Sequence, residues 1–259
     1  MLALALTVHI GVFGLFHPHD LELKPAPGQV LVVETGGQTQ TLESGHALRL
    51  HGPAHATGRG GAPAVFVLSV PGRIRREFAG RLEVSIKNGE LVPVVEMDRE
   101  RALATILAAE LPPMPLEAVK AQAVAARSFL SAGAHHQGFD FCDTTHCQVL
   151  RDPPRADSSS IRAADQTRGL VLTYNGHILA ALYSANCGGH TRDLTQAGWN
   201  ADPSGYPYFG VSCLRGGAVA GHQIGLCQSG AADMARLGSS FGDILAHFYP
   251  AAALTRADR

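Results

Sequence analysis

Residues 98–113 read DRERALATILAAELPP, and the texture of the chain changes there. Leu103, Ile106, Leu107 and Leu111 recur at helical spacing behind Asp98, a residue suited to N-capping, and Pro112-Pro113 ends the run. Residues 115–132, PLEAVKAQAVAARSFLSA, follow as a second helix. It opens on a proline and carries Leu116, Val119, Ala123, Ala126 and Leu130 along one face. Upstream, short apolar runs (30–33, 48–50, 65–68, 82–86) alternate with the turn pairs Gly36-Gly37, Gly60-Gly61 and Asn88-Gly89, which predicts strands, with a tight hairpin at Asn88-Gly89. Downstream, strand texture returns at 170–174 and 178–183. Two short helices close the chain, one from Gln228 stopped by Gly238, the other capped by Ser240 and halted by Pro250. The fold class is α+β: a β-rich region over 1–95, then a mixed α/β core over 96–259 built on a helix pair and a loop rich in cysteine and histidine.

At 259 residues the chain can bury a sizeable core, as one large domain or two modest ones. A formal net charge of -1 gives no electrostatic case for nucleic acid or an anionic membrane surface, and the longest basic run, Arg73 to Arg76, is short. The first sixteen residues are apolar but lack a basic leader and a small-residue cleavage site; the alternation of Leu6, Val8, Ile10 and Val12 suits a first strand better, so no export signal is evident. No stretch is long and apolar enough for a transmembrane segment.

Position 110, seven residues after Leu103, continues the apolar stripe of the first helix and holds a glutamate. Burial there and the negative end of the helix dipole both disfavour its charged form. A carboxylic acid kept protonated can protonate a leaving oxygen. The spacing equally allows Glu110 to pair with Lys120 or Arg127 from the next helix.

The segment from Ala109-Glu110-Leu111-Pro112 through Pro115 to Ser128 resembles the signature of the stage II sporulation protein D and LytB family, a glutamate before a proline turn and then a P-x-E-A-hydrophobic-K-A-Q-A-V-A-A-R helix. Residues 141–149, FCDTTHCQV, resemble the family's D-x-C-D-T-x-x-C-Q-V-Y block, with Leu150 where an aromatic is usual. Residues 183–191, YSANCGGHT, resemble Y-H-S-x-x-G-G-x-T with one residue fewer between tyrosine and serine. Residues 221–231, GHQIGLCQSGA, resemble G-H-G-V-G-M-S-Q-x-G-A, departing at Gln223 and Cys227. The resemblance spans roughly 95 to 250. It implies a peptidoglycan lytic transglycosylase acting on glycan strands, with Glu110 as the catalytic glutamate. Tyr183, Ser184, Gly188, Gly189, His222 and Gln228 stand as substrate-binding candidates, and the location implied is extracytoplasmic. A single acid fits a lytic reaction, in which the muramyl 6-hydroxyl attacks the anomeric carbon, whereas hydrolysis usually needs two carboxylates. Asp143 is a candidate stabiliser, or a turn residue bonded to its own backbone. The LytB side of the family implies an alternative, a non-catalytic peptidoglycan-binding module that enhances a cell-wall amidase.

His136-x5-Cys142-x4-Cys147 resembles the zinc-ligand spacing of some family members, which assigns zinc to those three residues; a disulfide between Cys142 and Cys147 is the competing reading. His135 lies just upstream, and His146, adjacent to Cys147, is harder to aim at the same ion. A metal-bound water acting as a hydrolase is a third reading, disfavoured by a thiolate-rich donor set. Of the later cysteines, Cys187 and Cys213 flank a loop containing Trp199, Asn200 and 206–209 and are suspected to pair, leaving Cys227 free; buried free cysteines are the competing reading.

Overall fold

The computed structural model describes residues 7–133, 136–199 and 205–257; Asn200 and His135 lie outside them. It is an α+β structure whose contacts group into two compact units, one comprising 7–109 and 136–153, the other 110–133 and 154–257.

The first unit is a ten-stranded, nearly barrel-shaped set of strands. In chain order these are β1 (Thr7–Gly11), β2 (Leu21–Pro25), β3 (Val30–Thr35), β4 (Gln38–Glu43), β5 (Leu48–Leu50), β6 (Ala54–Thr57), β7 (Ala64–Val70), β8 (Ile74–Lys87), β9 (Glu90–Asp98) and β10 (Phe141–Cys142). The main path runs β10-β1-β9-β8-β6-β3-β4, and β7 joins β2 to β8. Alternation is the cause: Val8 and Ile10 of β1, Leu21 and Leu23 of β2, and Leu31 and Val33 of β3 are all buried while His9, Glu22 and Val32 between them are not. The tight hairpin predicted at Asn88-Gly89 forms, and the Gly36-Gly37 pair makes a second one. Gly36 and Gly37 join β3 to β4, and Asn88 and Gly89 join β8 to β9, all four with positive φ as a two-residue hairpin turn requires.

Strand β8 changes partners along its length. Residues 74–80 pair with β7, whereas 81–87 pair with β9, and the change falls at Gly80. A Cβ there would collide with the Glu96 carbonyl oxygen, so the residue must be glycine for β8 and β9 to approach.

The second unit is built round α2 (Leu116–Ser131), which follows α1 (Arg99–Glu110) and begins, as the sequence predicts, at Pro115. Against α2 pack α3 (Ser159–Gln166), α4 (Gln228–Arg236), α5 (Phe241–Phe248) and strand β11 (Leu170–Tyr174). Strand β11 lies between β12 (His177–Ile178) and β15 (Ala253–Arg256), and a separate parallel pair is formed by β13 (Tyr183–Ser184) and β14 (Leu226–Cys227).

Helix α3 has no counterpart in the sequence reading. It is short and opens Ser159-Ser160, weak helix formers, and its register is set by the Ser158 hydroxyl accepting the Ile161 N–H at 3.3 Å. Asp98 caps α1 as predicted, its Oδ1 accepting the Arg101 N–H at 3.0 Å, and Ser240 with Asp243 forms a capping box on α5.

Gly80→Ala is expected to cost at least about 1–3 kcal/mol, the range for overpacking a close contact, seen as a lower denaturant midpoint. A midpoint equal to wild type would show that β8 and β9 can separate freely at that point.

Candidate functional site

Two sets of side chains bear on chemistry, one in each unit. In the strand-rich unit, residues 140–143 are clamped to the edge of β1. Ile10 and Gly11 pair with Phe141 and Cys142, His9 N–H donates to Asp140 Oδ2 at 2.8 Å, and Asp143 N–H donates to the Gly11 carbonyl at 3.2 Å. The Asp143 carboxylate is buried and accepts from Arg76 Nη1 at 2.6 Å and from the Phe13 N–H at 3.2 Å. Burial pushes its carboxyl up from the ordinary value, against the pull of the Phe13 N–H and the Arg76 guanidinium. Asp143 therefore serves as the anchor of the loop.

That anchor presents four side chains that could hold a metal ion. His136, Cys142, His146 and Cys147 bring one donor atom each within 4.8 Å of one another. His136 Nε2 is 3.2 Å from Cys147 Sγ, and His146 Nδ1 lies 3.5 Å from Cys147 Sγ and 3.8 Å from Cys142 Sγ. Two thiols and two imidazoles at these separations fit a tetrahedral zinc site. His146, which adjacency to Cys147 argued against, supplies the fourth donor, because the turn at 144–147 (Cys147 N–H to Thr144 O, 3.1 Å) folds its ring back over both sulfurs. Cys142 and Cys147 are free thiols. Burial pushes the Cys147 thiol up to about 12, and burial with the nearby His146 pushes His136 down, toward the neutral form that binds metal. A cavity of about 240 Å³ opens beside the cluster, lined by Gly11, Leu91, Pro93, Phe139, Cys142 and Thr144 among others.

In the second unit, Glu110 is the last residue of α1 and half-buried, two residues before the proline pair. The helix it ends is buried on nearly every side from Arg99 to Leu107, with Arg101 exposed. Lys120, a candidate partner, forms an ion pair with Glu117 and lies over the Phe241 ring. The Arg127 guanidinium, fully buried, donates to the carbonyls of Ala164 (3.0 Å) and Leu170 (3.1 Å) and to Thr167 Oγ1 (3.3 Å).

The remaining candidates converge on the β13–β14 pair. Tyr183 and Ser184 pair with Leu226 and Cys227, so Gln228, first residue of α4, lies beside them. His222 Nδ1 accepts the Ile224 N–H at 3.0 Å, and its ring bonds the Tyr183 backbone. Buried tyrosines rivet the segment: Tyr249 Oη donates to the Leu182 carbonyl at 2.6 Å, and Tyr208 Oη donates to the Ala180 carbonyl. Gly188 and Gly189 turn the chain with φ of 74° and 112°. Gln223, standing where the family pattern has glycine, takes φ of 65°, and its amide donates to the Cys187 carbonyl at 2.7 Å, which offsets the strain. Trp199, 46% exposed, stands with its ring centroid 5.2 Å from that of His222.

The 187–213 segment is also unlike the expected surface loop closed by a bridge. Tyr206 and Tyr208 are core residues, and Cys187 and Cys213 are free thiols. Sequence reasoning also passed over Gln122. Its amide is 1% exposed, and neither its nitrogen nor its oxygen has a hydrogen-bond partner among the described residues; the same holds for the buried Ser184 hydroxyl. A glutamine amid the alanines of a buried helix face was the available signal.

Residues 87–174 match the family model described as stage II sporulation protein (SpoIID), a segment that takes in both α1 and α2, Glu110 and the four-donor cluster. The match supports the SpoIID/LytB family for this segment of the chain. Among similar proteins, an uncharacterized protein of Brachyspira hyodysenteriae is 36% identical over 120 residues, 44% of this chain and 33% of that one. The amidase enhancer of Bacillus subtilis is 39% identical over 93 residues, 36% of this chain and 12% of that one. The match thus spans a third or less of the length of these curated relatives.

Two outcomes are expected. Zinc affinity at the four-donor cluster should weaken steeply as pH falls, because protons compete for the thiolates, and should be lost in Cys142→Ser/Cys147→Ser; calorimetry in buffers of differing ionisation heat reads the protons released. An affinity independent of pH would exclude thiolate ligation. For His222, burial depresses the folded value, with the Tyr183 backbone opposing. Its contribution to stability is full above the ordinary value of about 6.5 and declines as pH falls from there toward the lowered folded value. Denaturant melts on either side of that window should show a smaller acid loss in His222→Gln than in wild type; His136, shifted the same way, adds to the slope in both.

Proposed function

We propose that this chain acts at the bacterial cell wall as a peptidoglycan lytic transglycosylase, cleaving glycan strands already stripped of stem peptides, with the activity carried by residues 96–259. The observation that carries this reading is the family match over the two helices that meet at Glu110-Leu111-Pro112-Pro113. The half-buried Glu110 donates its proton to the glycosidic oxygen, the muramyl 6-hydroxyl attacks the anomeric carbon, and the resulting carboxylate takes the hydroxyl proton. The protonated acid is then restored in each turnover, and the product is a 1,6-anhydromuramyl end. No step draws on a second acid, in keeping with Asp143 being committed to Arg76 and Phe13.

Binding of the strand is assigned to the β13–β14 region. Trp199 offers an exposed aromatic face for a sugar ring, and the His222 imidazole, held at both ends, is a fixed part of the wall rather than a base. The unpartnered Gln122 amide and Ser184 hydroxyl are groups that sugar hydroxyl or acetamido oxygens can satisfy. His136, Cys142, His146 and Cys147 would hold zinc, whose contribution there is to order the 136–147 loop. These assignments imply an extracytoplasmic location; among the described residues no helix is long and apolar enough to cross a membrane.

The relative named amidase enhancer favours a second reading, a non-catalytic wall-binding module that stimulates a separate amidase. Glu110→Gln separates the two. Under the first reading it abolishes release of 1,6-anhydromuramyl ends from denuded strands while strand binding persists; equal release by variant and wild type sinks the catalytic reading. Amidase stimulation unchanged by Glu110→Gln, with no anhydro product from wild type, favours the second. Gln122→Met should weaken strand binding while stability holds or rises by about 1–3 kcal/mol, since it removes a buried unsatisfied amide. Loss of stability with unchanged binding would make Gln122 a packing residue.

A further inference from the structure

Three cysteines from distant parts of the second unit meet in its core. Cys187 follows β13, Cys213 lies beyond the buried tyrosines, and Cys227 ends β14 and caps α4. Their sulfurs lie within 4.8 Å of one another, Cys187 and Cys227 are 1% and 0% exposed, and none is in a disulfide. Sulfurs bonded to one zinc at about 2.3 Å stand about 3.8 Å apart, so the cluster needs little contraction to close on an ion.

The surroundings of each sulfur point the same way. Cys227 Sγ accepts the N–H of Cys187 and that of Gly230, both at 3.3 Å; a backbone N–H at Gly189 faces Cys187, and one at Arg215 faces Cys213. In each case a donor sits two or three residues after its cysteine, a chain turn wrapped round a sulfur, and such N–H groups favour thiolate over thiol. Gly188 and Gly189, both with positive φ, make the first of these turns. At Gly230 a Cβ would collide with Cys213 Sγ, so the absence of a side chain on the first turn of α4 is what admits the third sulfur. Capping alone does not explain Cys227, since serine, threonine, aspartate and asparagine are the residues that cap best.

We propose that Cys187, Cys213 and Cys227 form a tris-thiolate site for a soft d10 cation, zinc or copper(I), separate from the His136/Cys142/His146/Cys147 cluster. Three thiolates with no oxygen ligand select such ions over magnesium or calcium. Copper(I) would be held by the three sulfurs alone, whereas zinc would take a fourth ligand from the side of half-buried Cys213.

The test uses the full chain, reduced and handled without oxygen, carrying Cys142→Ser and Cys147→Ser to silence the first cluster. It is titrated with zinc and, separately, with copper(I), and metal is counted after gel filtration. One equivalent is expected, with near-ultraviolet thiolate-to-metal absorption, and Cys213→Ser, the least buried of the three positions, should bind at least tenfold more weakly. Binding of zinc and not copper(I), or the reverse, identifies the ion. If the double variant does not fold, the same count on the otherwise wild-type chain should fall from two equivalents to one in Cys213→Ser. Zero metal with three reactive thiols overturns the proposal, and so does zero metal with one reactive thiol, which would mean that two of the cysteines are joined in a disulfide.

Discussion

A guanidinium with no access to water organises the second unit. Arg127 stays protonated at any pH a protein survives, so its N–H groups must be met inside the core, and three of the acceptors come from one short stretch: the carbonyls of Ala164 and Leu170 and the hydroxyl of Thr167. Thr167 in turn donates to the Ala163 carbonyl at 2.7 Å, so its oxygen is held in place. One residue later, Ser128 Oγ accepts the Leu172 N–H at 2.8 Å while donating to the Val124 carbonyl. These contacts fix α3 and the start of β11 against α2. Removing one partner from such a network typically costs about 3–5 kcal/mol, far more than an exposed ion pair contributes. The alanines of α2 let α3, α4 and α5 approach closely, and Arg127 and Ser128 determine where the neighbours stop.

A second buried polar contact plays the same part for the metal candidate. The 136–147 loop owes its place to the β1–β10 pairing and to Asp143 on Arg76 and Phe13. With that end fixed, a turn of four residues is enough to aim His146 and Cys147 at the same point. The candidate donor set is thus preorganised by groups outside it.

Helix boundaries were legible along the chain wherever a local signal sets them: Asp98, Pro115, Ser240, and the turn pairs at Gly36-Gly37 and Asn88-Gly89 all act over three or four residues. Helix α3 was not legible, because its stability comes from burying Ala163 and Ala164 and from receiving Arg127. The sulfur chemistry divided in the same way. Cys142 and Cys147 are close in sequence and were read as a pair, while His146 was discounted because a straight chain would point it elsewhere.

By itself the sequence determined the class of fold, the two successive helices with Glu110 at the end of the first, and the resemblance to the family, since these rest on periodicity, caps and a long contiguous motif. Only the tertiary structure decided that His146 completes a four-donor cluster, that Tyr206 and Tyr208 are core residues, that the Gln122 amide is buried with no partner among the described residues, and that Cys187, Cys213 and Cys227 share one point. The physical reason is range. Backbone propensities and caps act between near neighbours, whereas the meeting of three cysteines spread over forty residues depends on which buried groups, tyrosine hydroxyls and the Gly230 backbone among them, leave room for sulfur.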